Sequence, residues 1–319
     1  MLNYLIRRLL ALIPTLLFAS IIVFSVVRLV PGDVIDLMLI ENDFSSTGLD
    51  TRNQIEQALG LDKPIYVQYW YWLGNIVWHG DLGNSLWQDT SVAEDIFARL
   101  PVTIELGILS LLVALFIAIP IGIYSAVRQE TVIDYVGRSF SILALAVPSF
   151  WLGTMVVILP AMWWGWMPPN NVVPFFEQPW ENLKTFITPA LILGASLSAV
   201  TMRMTRSMML EVLRQDYVRT AWAKGLTERM VVLRHAVKNA MIPVVTLVGL
   251  LMPILFGGTV IIEQIFQLPG IGQLLFDAVS QRDYPIITGV FLIVGVMVIL
   301  VNLAVDLCYG YLDPKVRYD

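Results

Sequence analysis

The sequence predicts an all-α polytopic membrane protein with six transmembrane helices and both termini in the cytoplasm. Three observations carry that prediction: too little charge for a water-soluble surface, six apolar runs of spanning length, and connections whose charge alternates. The 319 residues are 57% hydrophobic and 14% charged, with a mean hydropathy of +0.73. Soluble domains carry roughly 25% charged residues, so the bilayer must act as part of the solvent. The formal charge of −5 says little about partners, because placement of charge matters more than its sum.

The first run, Leu9 to Val27, follows Arg7 and Arg8. A charged start and an apolar core also describe a signal peptide, so length discriminates. Nineteen residues at ~1.5 Å each nearly cross a ~30 Å hydrocarbon core. Arg28 and Pro31-Gly32-Asp33 come next, with no small-residue cleavage pattern. The run reads as a retained first span. Five further runs cover approximately 103–126, 139–164, 187–204, 241–262 and 286–309.

Charge orients these spans. Segment 31–100 holds eleven acidic residues against Arg52, Lys63 and Arg99. Segment 203–240 holds Arg203, Arg206, Arg214, Arg219, Lys224, Arg229, Arg234 and Lys238 against Glu211, Asp216 and Glu228. Lys and Arg stay on the cytoplasmic side, so 203–240 is inside and 31–100 outside. Lys315 and Arg317 place the C-terminus inside with the N-terminal arginines. The chain thus divides into 1–30 (first span), 31–100 (extracytoplasmic) and 101–319 (five spans with the cytoplasmic loop 203–240).

In the outer segment, Tyr66, Tyr69, Trp70, Leu73 and Val77 recur at helical spacing beside Tyr71, Trp72 and Trp78. This predicts an amphipathic helix at the membrane–water boundary, an aromatic anchor that can also help receive a soluble partner. Pro14, Pro120, Pro148, Pro160, Pro189 and Pro253 fall in or near spans, where proline kinks helices. Glu105 and Asp306 lie near span ends, within reach of water. With so few buried ionisable groups, a proton- or voltage-driven device is disfavoured.

The inventory bounds the chemistry. A single cysteine, Cys308, forms no internal disulfide, and His79 and His235 lack ligand spacing. No metal site and no catalytic residue is predicted. Gly-x-x-x-x-Gly-Lys-Ser/Thr is absent, so no phosphate cradle is expected. A stand-alone secondary transporter would call for interrupted helices in matching halves and mid-membrane charges. An intramembrane Ser–His protease has no membrane-level histidine to use.

Segment 203–240 is too charged to span and too rich in helix formers for a plain loop. Met204, Met208 and Val212 extend the fourth span into the cytoplasm. Asp216 then caps a short helix through Lys224, and Gly225 ends it, because glycine tolerates the left-handed conformation. Thr227 caps the next helix, Arg234 and Lys238 share a face at i,i+4, and Pro243 sits in the first turn of the following span. Small residues at Thr220, Ala221 and Ala223 give the hairpin a low profile, suited to a groove on another protein. A basic helix lying on anionic headgroups fits the same charges.

The run Asp216-Tyr217-Val218-Arg219-Thr220-Ala221-Trp222-Ala223-Lys224-Gly225-Leu226, followed by Arg234-His235-Ala236-Val237-Lys238-Asn239-Ala240 and Pro243, resembles the coupling loop of binding-protein-dependent ABC importer permeases. It is most similar to the B-type subunit of the dipeptide/oligopeptide/nickel group. Further matches extend along the chain: Arg7-Arg8-Leu9-Leu10, Ile13-Pro14-Thr15, Arg28-Leu29-Val30-Pro31-Gly32-Asp33, Leu59-Gly60-Leu61-Asp62 with Pro64, and Gly80-Asp81-Leu82-Gly83. Later come Pro148-Ser149-Phe150-Trp151-Leu152-Gly153, Phe266 with Pro269-Gly270-Ile271-Gly272, and Arg282-Asp283-Tyr284-Pro285.

The resemblance implies a type I ABC importer permease fold in a bacterial or archaeal inner membrane. It implies a homologous second permease, two cytoplasmic ATPase subunits that bind ATP and Mg, and an extracytoplasmic binding protein; nucleic acid is no partner. Asp216, Tyr217, Arg219, Thr220, Ala221, Ala223, Lys224, Gly225 and Leu226 would contact an ATPase. The general motif begins Glu-Ala-Ala, whereas aligning on Gly225 puts Arg219, Thr220 and Ala221 there. The acidic contact must be replaced, with Asp216, Arg219 and Lys224 as candidates. Peptides are the expected cargo, with nickel chelates, glutathione or oligosaccharides as alternatives. Trp151, Trp163, Trp164 and Asn302 are candidate pathway residues.

Overall fold

The computed structural model describes the backbone of residues 2–29 and 62–312. The motif residues from Val30 to Leu61, most of the acidic outer segment, the C-terminal Lys315 and Arg317, and the side chains of Arg7, Arg8 and Asp306 lie outside what is described. The helices are α1 (Leu2–Leu29), α2 (Ile65–His79), α3 (Val92–Val127), α4 (Val132–Ala146), α5 (Ser149–Trp164), α6 (Pro179–Leu213), α7 (Asp216–Ala223), α8 (Val237–Phe266), α9 (Ile271–Gln281) and α10 (Tyr284–Leu312). A helical turn, Glu228–Met230, and a π-helical segment, Val231–Ala236, lead without a break into α8. No strand is present among the described residues; Asn84 and Ser91 form one isolated antiparallel bridge.

Helix α3, helix α6, the stretch Glu228–Pro253 and Tyr284–Val305 of α10 are each long and apolar enough to cross a membrane. In α1 the apolar stretch described is Leu10–Val26. The run 139–164 differs from expectation. It is two helices, α4 and α5, meeting at 91°. Val147 is extended there (φ −93°, ψ 118°), because the ring of Pro148 disfavours helical backbone in the residue before it. A second bend, of 81°, separates Leu255–Phe266 from α9. Pro243 also departs from expectation. It lies inside α8, since the helix is already under way at Val237.

The chain divides into two compact units. The first comprises Met1–Leu9, Leu100–Gln273 and Met297–Asp319. Its core gathers Leu106, Phe186, Ala190, Leu193, Ile262 and Leu268. Helix α6 approaches α3 closely because Gly194 carries no Cβ. One built there would stand 2.7 Å from Val113 Cγ1 and 2.8 Å from the Ser110 carbonyl. Small residues at such crossings let helices pack without a hydrophobic drive from water. Asp134 of α4 is fully buried, and both its oxygens accept from Arg206 of α6, at 2.9 Å (Nε) and 3.1 Å (Nη2). Arg138 adds a contact at 3.2 Å and the Glu130 N–H one at 3.1 Å. A buried charge is tolerated when paired and hydrogen-bonded in this way.

The second unit comprises Leu10–Arg99 and Leu274–Val296. The aromatic helix expected from Tyr66 onward is α2, and it splits the residues expected along one face. Tyr69 is buried, bonded to Ser20 Oγ at 2.9 Å and packed on Phe24, while Tyr66, Trp70 and Val77 are exposed. Trp72 also meets Phe24, at 5.4 Å between ring centroids. Aromatics surround this helix on all sides, so periodicity alone could not choose the face. The motifs Gly80-Asp81-Leu82-Gly83 and Arg282-Asp283-Tyr284-Pro285 converge here. Asp283 accepts from Ser85 Oγ at 2.6 Å and the Leu86 N–H at 3.1 Å, and a Cβ on Gly83 would touch Pro285 at 3.9 Å. Burial holds the Asp283 carboxyl above the usual carboxylate range, although these donors pull it down.

Candidate functional site

Segment 203–240 folds as the helical hairpin its residues predict, with the details rearranged. Helix α6 continues to Leu213, carrying Met204, Met208 and Val212. Gln215 then becomes extended (φ −70°, ψ 149°) and occupies the N-cap of α7 without a side-chain bond. Asp216 is therefore not the cap. It is the first helical residue, where a negative charge complements the helix dipole. Its carboxylate meets Arg219 at 3.3 Å with both side chains largely exposed. Such a pair contributes little to stability, so both groups are available to a partner. The Thr220 hydroxyl is spent within the helix, donating to the Asp216 carbonyl at 2.9 Å.

Helix α7 ends in a Schellman arrangement. The Leu226 N–H donates to the Ala221 carbonyl at 3.4 Å and the Gly225 N–H to the Trp222 carbonyl at 2.9 Å. Gly225 sits at φ +77°, the left-handed region that only glycine enters without a Cβ penalty. No atom lies within 4 Å of where its Cβ would stand, so backbone conformation, not space, calls for glycine here. Thr227 occupies the next N-cap position through its backbone, with no side-chain bond.

The inner face of α7 is Val218 and Ala221, buried against Val231 with Leu226, Val212 and Leu213 alongside. Ala221 therefore faces inward, and only Thr220 and Ala223 of the three small residues belong to the outer surface. Trp222, 45% exposed, breaks the expected low profile. Tyr217 ties the hairpin to α8, its hydroxyl accepting from Asn239 Nδ2 at 2.7 Å. Farther back, Arg128 meets Glu228 at 2.9 Å. Arg234, in the π segment, and Lys238, at the start of α8, are both exposed. Asp216, Tyr217, Arg219, Thr220, Trp222, Ala223, Lys224 and Gly225 thus present one exposed surface.

The pathway candidates are less coherent. Trp163 and Trp164 meet edge-to-face at 5.6 Å, and Trp151, Trp163, Trp164 and Asn302 are all exposed. Trp151 lies on the same helix as Trp163 but about 18 Å along it at the α-helical rise. Among the described residues, no group of three or more His, Cys, Asp or Glu side chains is placed to hold a metal.

A buried site that sequence reasoning missed lies where α8 turns into α9. Glu263 is 0% exposed. One carboxylate oxygen accepts the N–H groups of Gly272 (2.7 Å) and Gln273 (3.2 Å), and the other accepts the Thr103 hydroxyl (2.8 Å). Thr103 Oγ1 in turn accepts the Ile271 N–H at 2.8 Å. A carboxylate and a hydroxyl together satisfy the free donors that begin α9. The motif Pro269-Gly270-Ile271-Gly272 was the available signal, since such glycines ask what approaches them.

Residues 118–318 match the family model of the binding-protein-dependent transport system inner membrane component, and residues 1–107 match that of its N-terminal region. A dipeptide transport system permease protein of Alkalihalophilus pseudofirmus is 39% identical over the full length of both chains. An oligopeptide transport system permease protein of Bacillus subtilis is 41% identical over 99% of each. The dipeptide transport system permease protein of Escherichia coli K12 is 37% identical over 100% of this chain and 99% of its own. A solved structure described as an amino acid ABC transporter with histidines has a TM-score of 0.54 at 14% identity, over 69% of this chain and 94% of that one. At that identity the likeness speaks to the fold alone.

Proposed function

Because the chain belongs to the family of binding-protein-dependent transport system inner membrane components, we propose that it forms half of the translocation pathway of an ATP-driven importer of di- or oligopeptides. The cargo rests on what its full-length relatives are named for transporting. Its partners in this reading are a homologous second permease, two cytoplasmic ATPase subunits and an extracytoplasmic binding protein, in a bacterial or archaeal cell membrane. ATP and Mg belong to the ATPases, and this chain contributes no catalysis.

The observation that carries the coupling role is the exposed, end-capped helix α7. ATP-driven closure of the ATPases moves their clefts, and a helix seated in a cleft must follow. Val218 and Ala221 hold α7 to Val231, and Tyr217 holds it to Asn239 at 2.7 Å. A push on the outer face therefore passes into α8 and is not absorbed by a slack loop. Asp216, Arg219 and Lys224 supply the polar contacts in place of the missing motif acid, and Trp222 supplies an aromatic anchor of the kind enriched at interface centres.

Gly225→Val tests this reading. We expect membrane insertion to persist while peptide uptake and substrate-stimulated ATPase activity are largely lost. Undiminished stimulation in that variant would remove the coupling role. ATPase subunits should also co-purify with the chain, and an active lone chain would favour a secondary transporter. Nickel chelates, glutathione or oligosaccharides as cargo would leave this mechanism intact; ligand identification on the cognate binding protein decides among them.

A further inference from the structure

Within the second unit, a cavity of about 130 Å³ is lined by Phe24, Arg28, Trp72, Asn75, Asp81 and Tyr284, among others. That is room for roughly four waters at ~30 Å³ each. Two of its donors are buried without an acceptor among the described residues: Arg28 Nε and Trp72 Nε1. The Arg28 guanidinium lies 5.3 Å from the centre of the Phe24 ring and 5.7 Å from that of Tyr284. Ring faces attract a cation but do not accept the in-plane hydrogen bonds that a guanidinium directs at oxygen. A shielded cation and an indole N–H that share a cavity call for an oxyanion between them.

The wall also carries a carboxylate, Asp81, anchored by the Gly83 N–H at 2.8 Å to its Oδ1. A purely anionic guest would be repelled there, whereas one with a cationic end would be attracted. Arg28 ends the apolar helix α1, where an arginine reaches the headgroup level, and α2 exposes Tyr66, Trp70, Tyr71 and Trp78 in the manner of an interfacial helix. The group found at that depth with an oxyanion beside a cation is a zwitterionic phospholipid headgroup. We propose that this cavity is a phosphatidylethanolamine site. Arg28 and Trp72 donate to the phosphate, and Asp81 receives the ammonium and discriminates against anionic lipids.

The test is native mass spectrometry of the full-length chain in detergent, titrated separately with phosphatidylethanolamine, phosphatidylglycerol and inorganic phosphate. The wild type should retain phosphatidylethanolamine in preference to phosphatidylglycerol, and inorganic phosphate should not compete at equal concentration. Arg28→Gln should weaken retention about tenfold or more, and Trp72→Phe, which keeps an aromatic ring and removes the donor, about fivefold. Asp81→Asn should abolish the preference while leaving phosphate-directed binding. Wild-type retention in both Arg28→Gln and Trp72→Phe would overturn the proposal. If Arg28→Gln does not fold, unchanged retention in Trp72→Phe alone overturns it. Equal occupancy by inorganic phosphate would make this a free-anion site and overturn the lipid assignment.

Discussion

In the first unit, glycine shapes both the turn at Gly225 after α7 and the turn at Gly270 and Gly272 where α9 begins. At Gly225 the backbone is left-handed and the surroundings are open, with nothing within 4 Å of where a Cβ would stand. At Gly272 the limit is space: a Cβ would stand 2.5 Å from Val260 Cα and 2.8 Å from Glu263 Oε2. A Cβ on Gly270 would strike the same carboxylate and Thr103 Oγ1. One turn is exposed and tied down by a few contacts. The other closes over a buried carboxylate that caps the next helix. The difference separates an open, exposed turn from a closed, buried joint, and it predicts different failures for the same kind of substitution.

Gly272→Ala should be the most damaging. The clash is with backbone, which cannot rotate away, and overpacking of this kind costs about 1–3 kcal/mol, occasionally more. Displacing Glu263 would add the loss of its charge-assisted bonds. Thermal unfolding in detergent should show a clear loss of stability, with transport failing because the chain is unstable. A midpoint equal to wild type would mean the turn is not closed as described.

Glu263→Gln sharpens the same point by altering charge and leaving volume almost unchanged. The amide keeps one acceptor oxygen, and its NH2 group, which only donates, replaces the oxygen that accepted the Thr103 hydroxyl. Weakening the bonds to Gly272 and Gln273 should cost about 1.5–3 kcal/mol, the range for hydrogen bonds to charged groups. Unfolding free energies of Glu263→Gln, of Thr103→Val and of the double variant should be non-additive, because the two residues cap one helix start. Strict additivity would separate them.

These two turns also mark what could be read in the sequence. The hairpin around Gly225 was legible because its determinants are local: a helix former run, a glycine, then another helix. Even so, the inward turn of Ala221, the exposure of Trp222 and the π segment at 231–236 escaped, since each depends on what α7 packs against. Glu263 was not anticipated at all. Its partner Thr103 is 160 residues away, and an acid one residue beyond an apolar run reads as a boundary. Asp134 with Arg206, 72 residues apart, escaped for the same reason. The break at Pro148 was half legible: proline predicted a kink, but a 91° bend depends on how α4 and α5 pack.

At Gly225 the expected penalty is smaller. A left-handed non-glycine residue costs roughly 1–2 kcal/mol, with no steric surcharge in open space. Gly225→Val should therefore unfold only slightly below wild type while transport is uncoupled. That separation of stability from function is what Gly272→Ala should lack. Equal destabilisation by both substitutions would erase the distinction between the turns.

Tyr217→Phe is the mildest and most specific probe of the exposed turn. It removes one hydroxyl, the acceptor of Asn239 Nδ2 at 2.7 Å, and leaves the ring and the Val218–Ala221–Val231 cluster in place. A hydrogen bond at a partly exposed site contributes about 0.5–1.5 kcal/mol, so the unfolding midpoint should scarcely move. If that bond transmits motion from α7 to α8, the number of ATP molecules hydrolysed per peptide transported should rise, because ATPase closure would more often fail to move the helix. Asn239→Ala should raise it equally, and the double variant no further. An unchanged ratio in both single variants would assign transmission to the packing of Val218 and Ala221 on Val231, which leads into α8.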